Sequence, residues 1–234
     1  MAARATLSIA AMMDEIEQRG FVSIAQLLSA ADVARLCTAL AVVDTNVAGI
    51  RGLSAKVPEV RSLATSSAVR ALIEATLGRE ALLVRSMLFN KVGAVNWHVA
   101  WHQDVTVAVR SEKQVAGFTA WSTKEGVPHV QAPVAVLERM ITLRLHLDAA
   151  DGTNGALWVA PGSHRFGQIG HEEAGILERC GTHLCAAQEG DALLMRPLLL
   201  HASRKGISGC SRRVLHLEFA AVDALPLPLC WAEE

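Results

Sequence analysis

Two periodicities divide this chain. Up to about residue 80, apolar positions recur three and four apart; beyond it they tend to alternate. Ile9, Met12, Met13 and Ile16 share one helical face, with Asp14, Glu15 and Glu17 elsewhere, which predicts a helix from Ile9 to Arg19 stopped by Gly20. Phe21 to Ile24 reads as a short strand. Ser29, three residues before Asp32, opens a helix through Leu40 in the manner of a capping box. The stretch from Asn46 to Ser62 is weakly patterned and is expected to be irregular. Ser66 or Ser67 caps a further helix through Leu77, closed by Gly78, and Leu82 to Phe89 reads as a core strand.

From Val105 onward, short strand-like runs are separated by turn residues, the spacing of an all-β sandwich or barrel. Val105 to Val109 and Met140 to Asp148 alternate, the latter with Ile141, Leu143, Leu145 and Leu147 on one face and Thr142, Arg144 and His146 on the other. Alternation alone leaves open which of these faces is inside. Asp151 to Gly155 is a strong turn signal. Ala156 to Val159, Ala192 to Met195, Leu198 to His201 and Val214 to Phe219 complete the strands. The expected fold is mainly β with N-terminal helices: a single domain over 1–234, a mostly helical flank at 1–80 and a barrel core at 81–222. Residues 111–139 form a long insert of the kind that serves as a lid or substrate wall.

Composition narrows the function classes. With 51% hydrophobic residues and a formal charge of −1, nothing suggests a nucleic-acid partner. No apolar run approaches the roughly 20 residues of a membrane span, and no signal-peptide pattern opens the chain. Five scattered cysteines do not make a disulfide framework, so a cytoplasmic location is the default. The absence of tyrosine removes phenolic acid–base chemistry.

The chemistry concentrates in Asn96-Trp97-His98-Val99-Ala100-Trp101-His102-Gln103-Asp104. A histidine and a carboxylate two apart on a strand point to the same side. Together they are two ligands of the set that holds non-haem iron(II), and His201, far along the chain, is the candidate third.

His102-Gln103-Asp104, then Asn154 to His164 (NGALWVAPGSH), then His201-Ala202-Ser203 with Arg212 eleven residues after His201, resemble the phytanoyl-CoA dioxygenase family. So does Ser86-Met87-Leu88-Phe89-Asn90-Lys91. The resemblance implies a double-stranded β-helix, a jelly-roll barrel of cupin type, and an oxygenase using Fe(II), 2-oxoglutarate and O2. It places the iron on His102, Asp104 and His201, and the far carboxylate of 2-oxoglutarate on Arg212 with help from Ser203. Gln103 and Met87 would line the cosubstrate pocket. The reaction it implies is hydroxylation of an unactivated carbon of a small organic substrate, with release of succinate and CO2. Related halogenases carry a small residue where Asp104 stands, which favours hydroxylation. Trp97, Trp101, Trp121, His129, Gln131 and Arg144 are candidate substrate contacts, from their position near the motif, in the insert or on an alternating strand.

Each assignment has a rival. His98 and His102, four apart, would make a zinc pair on a helix, but the β-branched run after Asp104 argues against one. Cys180, His183 and Cys185 lack a fourth ligand at finger-like spacing. Arg213 competes with Arg212, although it shares its face with Leu215, Leu217 and Phe219. A ligand-binding barrel that is non-catalytic or differently metallated, or an oxygenase acting on a protein side chain, are the alternatives.

Overall fold

A computed structural model describes residues 8–43, 47, 49–91, 97–206 and 212–232; Asn46, Asn96 and Cys210 lie outside these. The helical flank forms where the apolar spacing predicts it. Helix α1 (Ile9–Arg19) is capped by the Ser8 side chain and closed by Gly20 at φ 81°, whose N–H bonds the Ile16 carbonyl. Strand β1 (Phe21–Ile24) follows, then α2 (Ala30–Leu40), opened by a complete Ser29–Asp32 capping box. The next segment is more ordered than its pattern suggests. It carries β2 (Gly49–Arg51), α3 (Leu53–Lys56) and α4 (Pro58–Ala64), elements too short to show a full period. Helix α5 (Ser67–Leu77) is capped by Ser66.

Strand β3 (Ala81–Lys91) begins the barrel, followed by β4 (Val99–His102) and β5 (Thr106–Ala108). The insert is not a bare loop. It folds as a hairpin of β6 (Thr119–Lys124) and β7 (Val127–Gln131), which pairs with β5, and then a short α6 (Val134–Leu137). The chain continues through β8 (Met140–His146), β9 (Leu157–Val159), α7 (Glu173–Cys180), β10 (His183–Cys185) and β11 (Ala192–Met195). Where a strand over Leu198 to His201 is expected, residues 197–199 turn, and β12 is His201–Ser203. Strand β13 (Arg212–Ala221) ends the barrel.

Two antiparallel sheets make the body, in the orders β1-β11-β8-β13-β3-β2 and β10-β9-β12-β4. The outer face of the six-stranded sheet carries Leu88, Ile141, Leu143, Leu145, Leu215 and Leu217, in one core with Ile16, Val33, Leu36, Val60, Val69 and Ile73 of the helices. Each such side chain contributes about 1.5–3 kcal/mol by burial. The inner face is buried as well, yet polar: Arg85, Thr142, Arg144, His146, Arg212, His216 and Glu218 are all at most 8% exposed. The alternation in β8 and β13 therefore separates helix side from barrel interior, not core from solvent.

Candidate active site

The two sheets bring the sequence motif and the distant histidine together. His102 ends β4 and His201 begins β12, and the two are direct partners across that antiparallel pair, with ring centroids 4.2 Å apart. Asp104 is not on the same strand as His102. It lies in the link between β4 and β5, where its N–H bonds the Pro197 carbonyl at 2.9 Å, and that turn rather than strand periodicity aims its carboxylate inward. Its Oδ1 is 3.9 Å from His102 Nε2, and its Oδ2 is 3.6 Å from His201 Nε2. One ligand atom from each residue lies within 4.8 Å of the others, and among the described residues no other trio does this. Cys180, His183 and Cys185 form no such cluster, and His98 is exposed.

Both imidazoles are held in the form a metal needs. His102 Nδ1 lies 2.9 Å from the Ala100 carbonyl, and His201 Nδ1 lies 2.8 Å from the Leu199 carbonyl. A carbonyl only accepts, so Nδ1 carries the hydrogen in each ring and Nε2 presents its lone pair to the centre. Burial pushes His201 down to about 4, which keeps it neutral. Burial alone would raise Asp104, but the positive groups around it, the Arg85 guanidinium among them, hold the carboxyl well below the usual range. Two imidazole nitrogens and one carboxylate oxygen within 4.8 Å of one another are the donor set suited to iron(II).

A cavity of ≈ 90 Å³ opens from this corner, lined by Phe89, Trp97, Val99, Arg144, Leu157, Ala202, Ser203, Arg212 and His216 beside the three ligands. Arg212 is 2% exposed, and its Nε and Nη1 have no hydrogen-bond partner. Burial, with Arg144 nearby, lowers it to about 9. Arg213 points the other way and is spent on Asp148, through Nε at 2.9 Å and Nη2 at 2.7 Å. Ser203 accepts a bond from Lys91 Nζ at 2.9 Å, and that ammonium stands 5.3 Å over the Trp97 ring.

The other candidates scatter. Met87 sits on the inner face of β3, opposite His216, but does not line the cavity. Gln103 does not line it either. Its amide is consumed by backbone, with Nε2 donating to the Gly167 and Leu198 carbonyls at 2.8 and 2.6 Å and Oε1 accepting from Ile169 N–H at 2.8 Å. Trp101 packs with Ala160, Ile176 and Leu200, and Trp121 packs in a separate cluster with Val107 and Val130. His129 is buried with Nδ1 on the Val127 carbonyl, and Gln131 bonds Gln168. Sequence proximity to the motif marked these residues, but β4 and the hairpin turn them into neighbouring clusters. Lys91, His216 and Glu218 were missed. For His216 and Glu218 a signal was available, two polar residues two apart in an apolar strand and in step with Arg212; Lys91 ends its strand two residues after Phe89 and gives no such signal.

The chain matches the family described as Phytanoyl-CoA dioxygenase (PhyH) over residues 16–214. No curated protein matches it in sequence. Among solved structures it resembles EctD from S. alaskensis with 2-oxoglutarate and 5-hydroxyectoine, at 22% identity and TM-score 0.72, over 96% of this chain and 79% of that one. It also resembles SnoN, a non-heme alpha-ketoglutarate-dependent epimerase of nogalamycin biosynthesis (16%, TM-score 0.72, 92% and 81%). HygX from Streptomyces hygroscopicus with nickel and 2-oxoglutarate bound is a third (14%, 0.66, 91% and 86%). At these identities the likeness speaks for the jelly-roll fold, and the family match speaks for the chemistry. A match spanning most of the sequence, on a barrel that assembles the family's motif, makes the chain a member of the phytanoyl-CoA dioxygenase family of iron(II)- and 2-oxoglutarate-dependent oxygenases.

Proposed function

We propose that this protein binds Fe(II) through His102, Asp104 and His201, takes 2-oxoglutarate against Arg212, and hydroxylates an unactivated carbon of a small organic substrate. The observation that carries this reading is that the trio of potential ligands and a buried guanidinium with free N–H groups line one cavity. When bound, the iron and the oxo acid together supply the oxidising power drawn from dioxygen, with succinate and CO2 as by-products.

The chain's own residues do the rest. Ala100 and Leu199 carbonyls lock both imidazoles by Nδ1, which turns Nε2 of each towards the centre. The planar fork of Arg212 suits the two oxygens of a carboxylate, which a lysine at that position would meet as a point charge. Phe89, Val99, Leu157 and Ala202 form apolar walls that limit water beside the reacting centre. The third ligand position is filled by the Asp104 carboxylate and not by a small residue, which supports hydroxylation over halide transfer.

The test is an anaerobic titration with Fe(II) and 2-oxoglutarate, followed by absorption. A weak metal-to-ligand band is expected only when both are present, and it should be lost in His102→Ala. A protein that binds neither, or a band indifferent to His102, would remove this reading. A mass gain of one oxygen in a candidate metabolite then separates hydroxylation from other outcomes.

A further inference from the structure

Beside Arg212, the same cavity holds a second guanidinium. Arg144 lies on the inner face of β8, opposite His216 of β13, and is 5% exposed. Its Nη1 donates to His216 Nδ1 at 2.9 Å, His216 Nε2 lies 2.9 Å from Glu218 Oε1, and Glu218 Oε1 accepts from Arg85 Nε at 2.8 Å. An arginine only donates, so His216 Nδ1 is the lone pair and its hydrogen sits on Nε2, facing Glu218. Glu218 is itself ion-paired with Arg85. The chain therefore steers Arg144 without neutralising it. Arg144 Nε is buried with no partner, and the guanidinium stands 5.4 Å from the centre of the Phe89 ring, another wall of the cavity.

Charge points the same way. Arg144 and Arg212 both reach this cavity, and Lys91 stands beside it with its ammonium donating to the Ser203 hydroxyl and the Arg204 carbonyl, both uncharged. Among the described residues of the lining the one carboxylate is Asp104, which belongs to the metal corner. Buried cations without a counter-charge are costly, so this pocket is built for an occupant with more than one negative group. Strand register orders the cations. Arg144 is level with His216, and Arg212 is level with Lys91, four residues back along β13. Arg85, which pairs with Glu218, donates from Nη1 to the Thr106 carbonyl at 3.4 Å, two residues past Asp104, whereas Ser203, two residues past His201, meets Lys91 at the Arg212 end; the metal corner therefore lies at the His216–Glu218 end. Arg144, level with His216, is thus nearer to the metal corner than Arg212 is.

We propose that Arg144 is a second carboxylate-gripping residue of the cosubstrate pocket, holding the metal-proximal carboxylate of the 2-oxo acid while Arg212 holds the distal one, with His216 and Glu218 positioning it. This rests on the oxygenase reading and adds a residue to it. Two ligands separate the arginines: 2-oxoglutarate, with both carboxylates, and 2-oxobutyrate, which keeps the oxo-acid end and lacks the distal group. Affinities are measured anaerobically by calorimetry on the Fe(II)-loaded full chain. Loss of a charge-assisted hydrogen bond corresponds to about ten- to hundredfold in affinity. Arg144→Gln should weaken both acids by that factor, whereas Arg212→Gln should weaken 2-oxoglutarate alike and leave 2-oxobutyrate within about threefold. His216→Gln should follow the Arg144 pattern with a smaller loss for both acids. Arg144→Lys keeps the charge without the fork and should fall between; it serves in place of Arg144→Gln if thermal unfolding shows the latter does not fold. Affinities in the Arg144 variants equal to wild type, or losses confined to 2-oxoglutarate, would overturn the assignment while leaving the oxygenase reading standing. Failure of the wild-type protein to bind either acid would instead sink that reading, and this one with it.

Discussion

Gln103 shows how a residue between two candidate metal ligands can serve the site without entering it. Its amide closes three backbone bonds, to Gly167, Leu198 and Ile169, and so ties the His102–Asp104 link to the segments on either side. The orientation is set because Nε2 faces two carbonyls, which only accept. Gln103→Glu, nearly isosteric, would leave both carbonyls without a donor and put a negative oxygen against them. It should cost on the order of 3 kcal/mol at pH 7. The gap to wild type should narrow near pH 5 as the new carboxyl takes up a proton, read by denaturant unfolding at both pH values. A constant gap would mean the amide is not donating as described. That His102, Asp104 and His201 converge, with Arg212 lining the same cavity, was legible in the sequence because residue type and order restrict such a set so strongly. Gln103 was not, since an amide has the same appearance in sequence whether it meets a ligand or three backbone groups.

At the scale of elements, β8 and β13 explain both the success and the shortfall of the pattern. Their alternation is plain in the sequence, and it fixed which residues share a face. It did not say that both faces are buried, because an apolar-in, polar-out strand and a strand between helices and a polar barrel interior have the same period. The helices settle it by claiming Leu143, Leu145, Leu215 and Leu217. That leaves Arg144, His146, Arg212, His216 and Glu218 facing inward, where each needs a partner or an occupant. The insert teaches a related lesson. Its Trp121 and His129 look like wall residues, but pairing of β7 with β5 and β6 draws them into the cluster beneath the hairpin or bonds them to its own backbone. A hairpin register spanning residues 106–131 is a long-range fact, and local periodicity does not contain it.

Across the whole molecule, the interior keeps imidazoles neutral. Burial lowers His201 to about 4 and, with Arg144 and Arg212, lowers His146 to about 3; His129, His164, His183 and His216 are also lowered, burial first in each case. The unfolded chain protonates these rings near pH 6.5, while the folded chain resists until much lower pH. Stability of the metal-free protein is therefore fully present above about pH 6.5 and falls steadily as pH drops through 4 towards 3. Thermal unfolding midpoints between pH 7.5 and 4.5 check this, and a flat profile would contradict it. The same interior makes the molecule's main wager: a pre-aimed pair of imidazoles and one carboxylate beside a positive pocket. The most direct measurement is a crystal structure grown anaerobically with Fe(II) and 2-oxoglutarate, with the metal located by its anomalous signal. The account predicts iron on His102 Nε2, His201 Nε2 and the Asp104 carboxylate, with the oxo acid's distal carboxylate on Arg212. Iron bound elsewhere, or an oxo acid that leaves Arg212 without a partner, would contradict it.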